Sequence, residues 1–269
     1  MRTYRDVKKI KGKGRLGRRL STVGLAILFI GLFASFSPNL FVGERANTAF
    51  GQFMAEWWPY ISFAALPLGF IFASVGSYYI NRFAERRWPG NKQIQRPDEM
   101  LERSMKGFDD KYAYFAYSLP ANYVLVGPCG IQIMAVRSDK GRVVVNGDKW
   151  REPFNFGRIF TVFAREGVGN PENELMDQGK KLSELIAQAE NAEQFDNIPV
   201  EGAAVFLNAD VELEVDNPNI PALRGDKFKE YIRRRVKENR VNQASLKALT
   251  AYLTEACNVT KEEEEKDDD

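Results

Sequence analysis

The sequence predicts an α/β protein: a mixed sheet flanked by helices, preceded by a two-helix transmembrane hairpin. Three observations predict it. Two uncharged stretches of 24 residues, Leu20–Gly43 and Trp57–Ile80, stand close together near the start of a 269-residue chain, and about 20 apolar residues suffice to cross a bilayer core as a helix. Beyond residue 97, apolar runs of strand length alternate with stretches of helical period. One of those runs, PVEGAAVFLN at 199–208, reads as a central strand buried on both faces.

Residues 1–20 read as a basic arm: between Arg2 and Arg19 stand nine Lys or Arg against the single acid Asp6. The membrane part follows at 21–88, with spans at about 21–42 and 57–80. Ser37-Pro38 marks the outer end of the first span. Trp57, Trp58 and Tyr60 at one end of the second and Tyr78 and Tyr79 at the other form aromatic belts. Pro59 suits a helix start and Pro67 a kink. The link 44–56 holds one cation, Arg45, whereas Arg82, Arg86, Arg87, Lys92 and Arg96 follow the second span. The positive-inside bias therefore sets both termini in the cytoplasm of a two-span cell-membrane protein. Gly24 and Gly31, and Gly69 and Gly76, recur seven apart, two helical turns, so each pair shares a face on which the spans can pack. A cleaved signal peptide followed by a core helix is the competing reading, and the long basic arm argues against it. Besides orienting the spans, the arm suits anionic lipid headgroups or nucleic acid.

A polar linker at 89–97 leads to a domain at 98–257. A helix from Pro97 carries Leu101, Met105 and Phe108 on one face. Strands follow: KYAYFAYSL, ended by Pro120; YVLVG and GIQIMAVR, joined through Gly127-Pro128-Cys129-Gly130; and GRVVVNGDKW. Asn170 caps a helix with Pro171 at its first position, and Leu175, Leu182, Leu185, Ile186 and Ala189 form its stripe. After the central strand come DVELEV and two helices, about 225–239 and 243–257. The acidic tail 258–269, with KEEEEKDDD at its end, has too little apolar surface to fold and should stay disordered.

Composition excludes much chemistry. There is no histidine, so Ser-His and Cys-His catalysis and His-ligated zinc are out. Cys129 and Cys257 are too few and too distant for a disulfide framework, which suits a reducing compartment. Cys129, in its tight turn, has no base nearby to make it a nucleophile.

From Pro97 to Tyr252 the order of elements and glycines resembles the nuclease-related domain (NERD) family of the PD-(D/E)XK nuclease-like superfamily. That family's pattern is an acid opening the first helix, an Asp, an apolar strand, a Gly turn and a strand ending Glu-x-Lys. The resemblance sets Asp98 or Glu99 at the helix acid, Asn122 at the Asp, Gly130 at the turn, Ala135 at the Glu and Arg137 at the Lys. Glu174 stands where the family tends to have Gln. The resemblance thus implies a nuclease-like fold and a degenerate motif. Mg²⁺ wants carboxylate oxygens; Ala135 offers none, Asn122 only a neutral carbonyl, and Arg137 stays protonated.

The balance leans away from an enzyme. It favours a membrane-anchored domain that binds or scaffolds, with no metal and no small-molecule cofactor implied. Its partners are the lipid bilayer and either nucleic acid or an unidentified protein. Arg137, Lys140 and Arg142 form a candidate anion site in place of the metal; a solvated turn is the plainer reading. The enzyme alternative is a divergent Mg²⁺-dependent nuclease acting on DNA or RNA through Asp98 or Glu99 and a relocated acid, of which Asp139, Asp148 and Glu152 are the candidates. KFKEYIRRRVKENR at 227–240 offers cations for nucleic acid or lipid, or simply a solvated face over a packed stripe.

Overall fold

The structure is a computed structural model of the chain. It describes residues 1–86, 90, 95–138, 140–153 and 167–257. The linker residues 87–89 and 91–94, the candidate acid Asp139, and the whole acidic tail lie outside the described residues. The chain divides into two compact units, one made of Met1–Lys9 with most of the chain from Gln95 onward, the other built on Ile10–Ile94.

The second unit is a helical hairpin. Helix α1 runs from Val7 to Leu40 and helix α2 from Ala49 to Phe83, and both are long and apolar enough to cross a membrane. Their lipid-type surface is apolar: Phe29, Ile30, Leu32, Phe36, Phe63 and Leu66 are all exposed. The basic arm is not a separate tail, because its residues from Val7 on are the first turns of α1. At 34 residues and 1.5 Å per residue, α1 is about 51 Å long, well beyond a ~30 Å hydrocarbon core. Pro59 does not start α2; Thr48 does, its hydroxyl accepting from the Gly51 N–H at 3.1 Å. Pro59 and Pro67 both lie within α2, and the helix runs through them.

Small residues form the seam. A Cβ added at Gly24 would stand 2.4 Å from the Ala73 nitrogen, and one at Gly76 2.4 Å from the Ser21 nitrogen. At Gly17 it would meet Tyr79 Cβ at 2.7 Å, and at Gly31 Ala65 Cβ at 2.6 Å. The buried positions Ile10, Gly14, Gly17, Ser21 and Gly24 of α1 lie three or four residues apart, an average of about 3.5, and Gly31 follows two turns further on, which keeps one stripe against the partner helix.

The first unit contains two sheets, not the single mixed sheet read from the sequence. The larger has six strands in the order β1-β2-β3-β4-β7-β9: β1 Arg2–Arg5, β2 Ala113–Ala116, β3 Tyr123–Gly127, β4 Gly130–Arg137, β7 Val200–Phe206 and β9 Ala222–Arg224. Strands β2, β3 and β4 are antiparallel; β1 joins β2, β7 joins β4, and β9 joins β7 in parallel. The smaller has β6 Lys149–Arg151, β5 Gly141–Asn146 and β8 Val211–Asp216, in that order. GRVVVNGDKW is thus a hairpin of two strands turning at Gly147, whose φ is +58°.

Helices cover both faces of the larger sheet. Side chains of a strand alternate between faces. Ile131, Ile133 and Ala135 of β4 share a core with Leu175 and Leu182 of α4 (Pro171–Ala187) and Leu246, Leu249 and Leu253 of α6 (Gln243–Ala256). On the other face the Tyr114 hydroxyl reaches the Asp98 carbonyl of α3 (Pro97–Ser104) at 3.4 Å. The fourth helix of this unit, α5, spans Gly225–Glu238 and buries Phe228, Tyr231 and Ile232.

Candidate functional site

Strands β3 and β4 pair with Val124 opposite Ile133. Continuing that register by two residues sets Asn122 opposite Ala135, and alternation turns Arg137 to the same face. The three positions singled out in the sequence are therefore brought to one end of the sheet, beneath α4. Ala135 is fully buried in the α4-side core. Arg137, only 5% exposed, points inward.

Each of its three guanidinium nitrogens donates a hydrogen bond. Arg137 Nε donates to the Val168 carbonyl at 2.8 Å, Nη1 to the Val136 carbonyl at 3.1 Å and Nη2 to Glu174 Oε2 at 2.8 Å. Glu174 Oε1 accepts from Gln178 Nε2 at 2.9 Å, and Gln178 Oε1 accepts from the Asn122 backbone N–H at 2.9 Å. The chain of bonds Arg137–Glu174–Gln178–Asn122 ties the ends of β3 and β4 to the first two turns of α4. A buried guanidinium needs a carboxylate this close, because unpaired it would carry a desolvation penalty of several kcal/mol.

At the expected anion site, Arg137 and Arg142 each have a carboxylate partner. Arg137 is turned into the protein and neutralised by Glu174. Arg142 lies in the second sheet and pairs with Glu214 at 2.6 Å, both half-exposed. Lys140 is exposed.

The candidate remnant acids are also engaged. Asp98 is completely buried, its Oδ2 receiving Arg5 Nε at 3.0 Å and its Oδ1 receiving Arg96 Nε at 3.2 Å. Glu99 accepts from the Arg96 backbone N–H at 3.3 Å and pairs with Arg96 Nη2 at 2.8 Å. Glu102 accepts from Thr3 Oγ1 at 2.6 Å and also pairs with Arg5. Asp98 and Glu102 fasten strand β1 to helix α3. Among the described residues, no three His, Cys, Asp or Glu side chains are placed to hold a metal ion.

Among the residues of these networks not singled out in the sequence, two are instructive. Gln178 is one, and its signal was there: it interrupts the apolar stripe of α4, lying between Leu175 and Leu182 on the buried face. Arg5 is the other; four residues ahead of a long helix gave no sign that they form a strand. A second polar cluster lies on β4's opposite face, where Glu201 Oε2 accepts from Gln132 Nε2 at 2.8 Å and Arg235 Nε at 3.0 Å. Burial pulls the Glu201 carboxyl up, but the Arg235 and Gln132 bonds outweigh it and hold it below the usual range. Of the basic run on α5, Arg235 is thus committed to Glu201, and Lys227 and Arg234 pair with Glu230 and Glu238 along the helix. Cys129 is buried, and that burial pushes its thiol up to about 11, which leaves it a poor nucleophile.

No protein-family model, no curated protein and no solved structure matches this chain. The class that the coordinates define is a two-unit α/β protein with a mixed sheet, flanking helices and two candidate membrane-spanning helices at its start.

Proposed function

We propose that this is a two-span membrane protein whose cytoplasmic domain has the NERD-like, PD-(D/E)XK nuclease-like arrangement with its metal site converted into an internal ion pair. Its work is binding or scaffolding at the membrane. The observation that carries the reading is the Arg137–Glu174 pair, 2.8 Å, with Gln178 closing over Asn122. Hydrolysis of a phosphodiester at this place needs carboxylates around Mg²⁺. The positions supply a methyl group, a backbone amide and a guanidinium that already has its carboxylate. The order helix, antiparallel strands, helix, parallel strand also supports the reading. Orientation rests on the Lys/Arg bias about the two spans.

The test uses the full chain in nanodiscs, incubated with single- and double-stranded DNA and RNA in Mg²⁺ or Mn²⁺. The expected result is no metal-dependent cleavage. Cleavage that a folded Glu99→Gln or Asp98→Asn variant lacks would establish the nuclease alternative instead. If nucleic acid neither binds nor is cut while a protein co-purifies stoichiometrically, the domain recruits a protein partner.

A further inference from the structure

Helix α1 carries its cations in a stripe. Lys11, Arg15, Arg18 and Arg19 stand four, three and one residues apart, and at about 100° per residue they fall within one sector of about 100°. Gly14, Gly17 and Ser21, buried against α2, lie outside that sector. Lys11, Arg15 and Arg19 are exposed and Arg18 is half-exposed. Helix α1 contains no Asp or Glu, and among the described residues no carboxylate pairs with any of the four. Lys13 lies off the stripe, its ammonium 4.8 Å from the centroid of the Phe83 ring. The face that carries the stripe continues as Thr22, Ala26 and Phe29, all exposed. The Thr22 hydroxyl is turned back on its own helix, donating to the Arg18 carbonyl at 2.9 Å, so the surface beyond the cations is apolar.

We propose that this face of α1 seats an anionic phospholipid, its phosphate held by Arg15, Arg18 and Arg19 and one acyl chain lying over Thr22, Ala26 and Phe29. The inference rests on the reading of α1 as a membrane span. The uncharged run begins at Leu20, so Arg18 and Arg19 stand at its rim, and Arg15 lies about 6 Å further out than Arg19 at 1.5 Å per residue. The headgroup layer of each leaflet is about 5–8 Å deep, and the three guanidiniums share it. Each offers paired N–H donors to phosphate oxygens. Lys11, about 12 Å out from Arg19, adds to the positive field that draws anionic lipid to this helix. From Arg19 to Phe29 the rise is about 15 Å, half of a ~30 Å hydrocarbon core and so the depth of one leaflet's chains. A zwitterionic lipid presents the same phosphate but brings its own cation, which the stripe repels. Nucleic acid would meet Lys11 alone of the four, since the other three lie within the headgroup layer.

The full chain in detergent is offered phosphatidylglycerol or phosphatidylcholine, and the lipids it retains are counted by native mass spectrometry. Phosphatidylglycerol should bind at least about fivefold more tightly, the effect of one such cation at an anionic surface. Arg15→Gln combined with Arg18→Gln should remove that preference. Lys13→Gln combined with Arg86→Gln removes the same charge from outside the stripe and should keep it. Equal losses in the two double variants would overturn the proposal, because net charge alone would then explain the binding. So would a wild-type chain with no preference. Glycerophosphoglycerol, the same headgroup without acyl chains, should fail to compete at equal concentration; competition would mean that a soluble anion suffices and would also overturn it. The membrane reading fails separately: extraction of the chain from phosphatidylcholine vesicles by alkaline carbonate would refute the span itself. A chain that resists extraction yet shows no lipid preference refutes only the seat.

Discussion

Glu174 makes the buried Arg137 tolerable, and its removal has a predictable cost. Arg137 is 5% exposed and, among the described residues, Glu174 is its carboxylate partner at 2.8 Å. Glu174→Ala should lose about 2–3 kcal/mol of stability, the range between a hydrogen bond to a charge and a broken buried pair. Glu174→Gln, which keeps an acceptor, should lose less. Chemical denaturation measures both; an unchanged midpoint for Glu174→Ala would mean that the pair is not formed. A second residue has a pH signature. Glu201 is held below the usual carboxylate range despite burial. A carboxyl lowered on folding stabilises the fold above its unfolded pKa, about 4.3, and that contribution disappears as pH falls through the folded value. Stability should therefore drop below about pH 4.3, and Glu201→Gln should flatten part of that drop. Positions 122, 135 and 137 were legible in the sequence because the pattern that it resembles has fixed spacing. Their new partners were not: Gln178 is separated from Asn122 by 56 residues, and only the fold brings them together.

At the scale of elements, the helical hairpin gives a paired comparison. A Cβ at Gly24 would meet backbone of α2 at 2.4 Å, whereas at Gly12 it would meet nothing within 4 Å. Gly24→Ala should lower the melting temperature of the hairpin in detergent, because backbone atoms cannot yield as a side-chain tip can. Gly12→Ala should raise stability by up to about 1 kcal/mol through helix propensity. If both changes behave alike, the seam is elsewhere. Seven-residue glycine spacing foretold Gly24, Gly31, Gly69 and Gly76; Gly17 continues the same repeat into the basic arm, where charge obscured it. Most helices were readable from caps and stripes, as with Asn170 and Pro171 opening α4. Strands β1 and β9 were not. Four and three residues long, they are too short for a periodicity and exist because neighbouring edges pair with them. The split into two sheets was equally hidden, since strand pattern does not state which strands bond.

For the whole molecule, the first unit draws its residues from both before and after the helical hairpin in the chain. Strand β1 precedes α1 by the single residue Asp6, whose Oδ1 accepts from the Lys9 N–H at 2.8 Å. Arg5 then joins Asp98 and Glu102 of α3, the first helix after α2. Topology is testable by labelling. With Cys129 and Cys257 buried, Asn47→Cys should react with an impermeant maleimide from outside intact cells, while Arg2→Cys should react only after lysis. The reverse pattern would invert the orientation. Mn²⁺ binding, followed by electron paramagnetic resonance on the full chain, asks whether the proposed internal ion pair of Arg137 and Glu174 stands where a metal would sit. Mn²⁺ should stay free at stoichiometric concentrations. A bound ion that is lost on changing Asp98 or Glu99, in a variant that still folds, would contradict it.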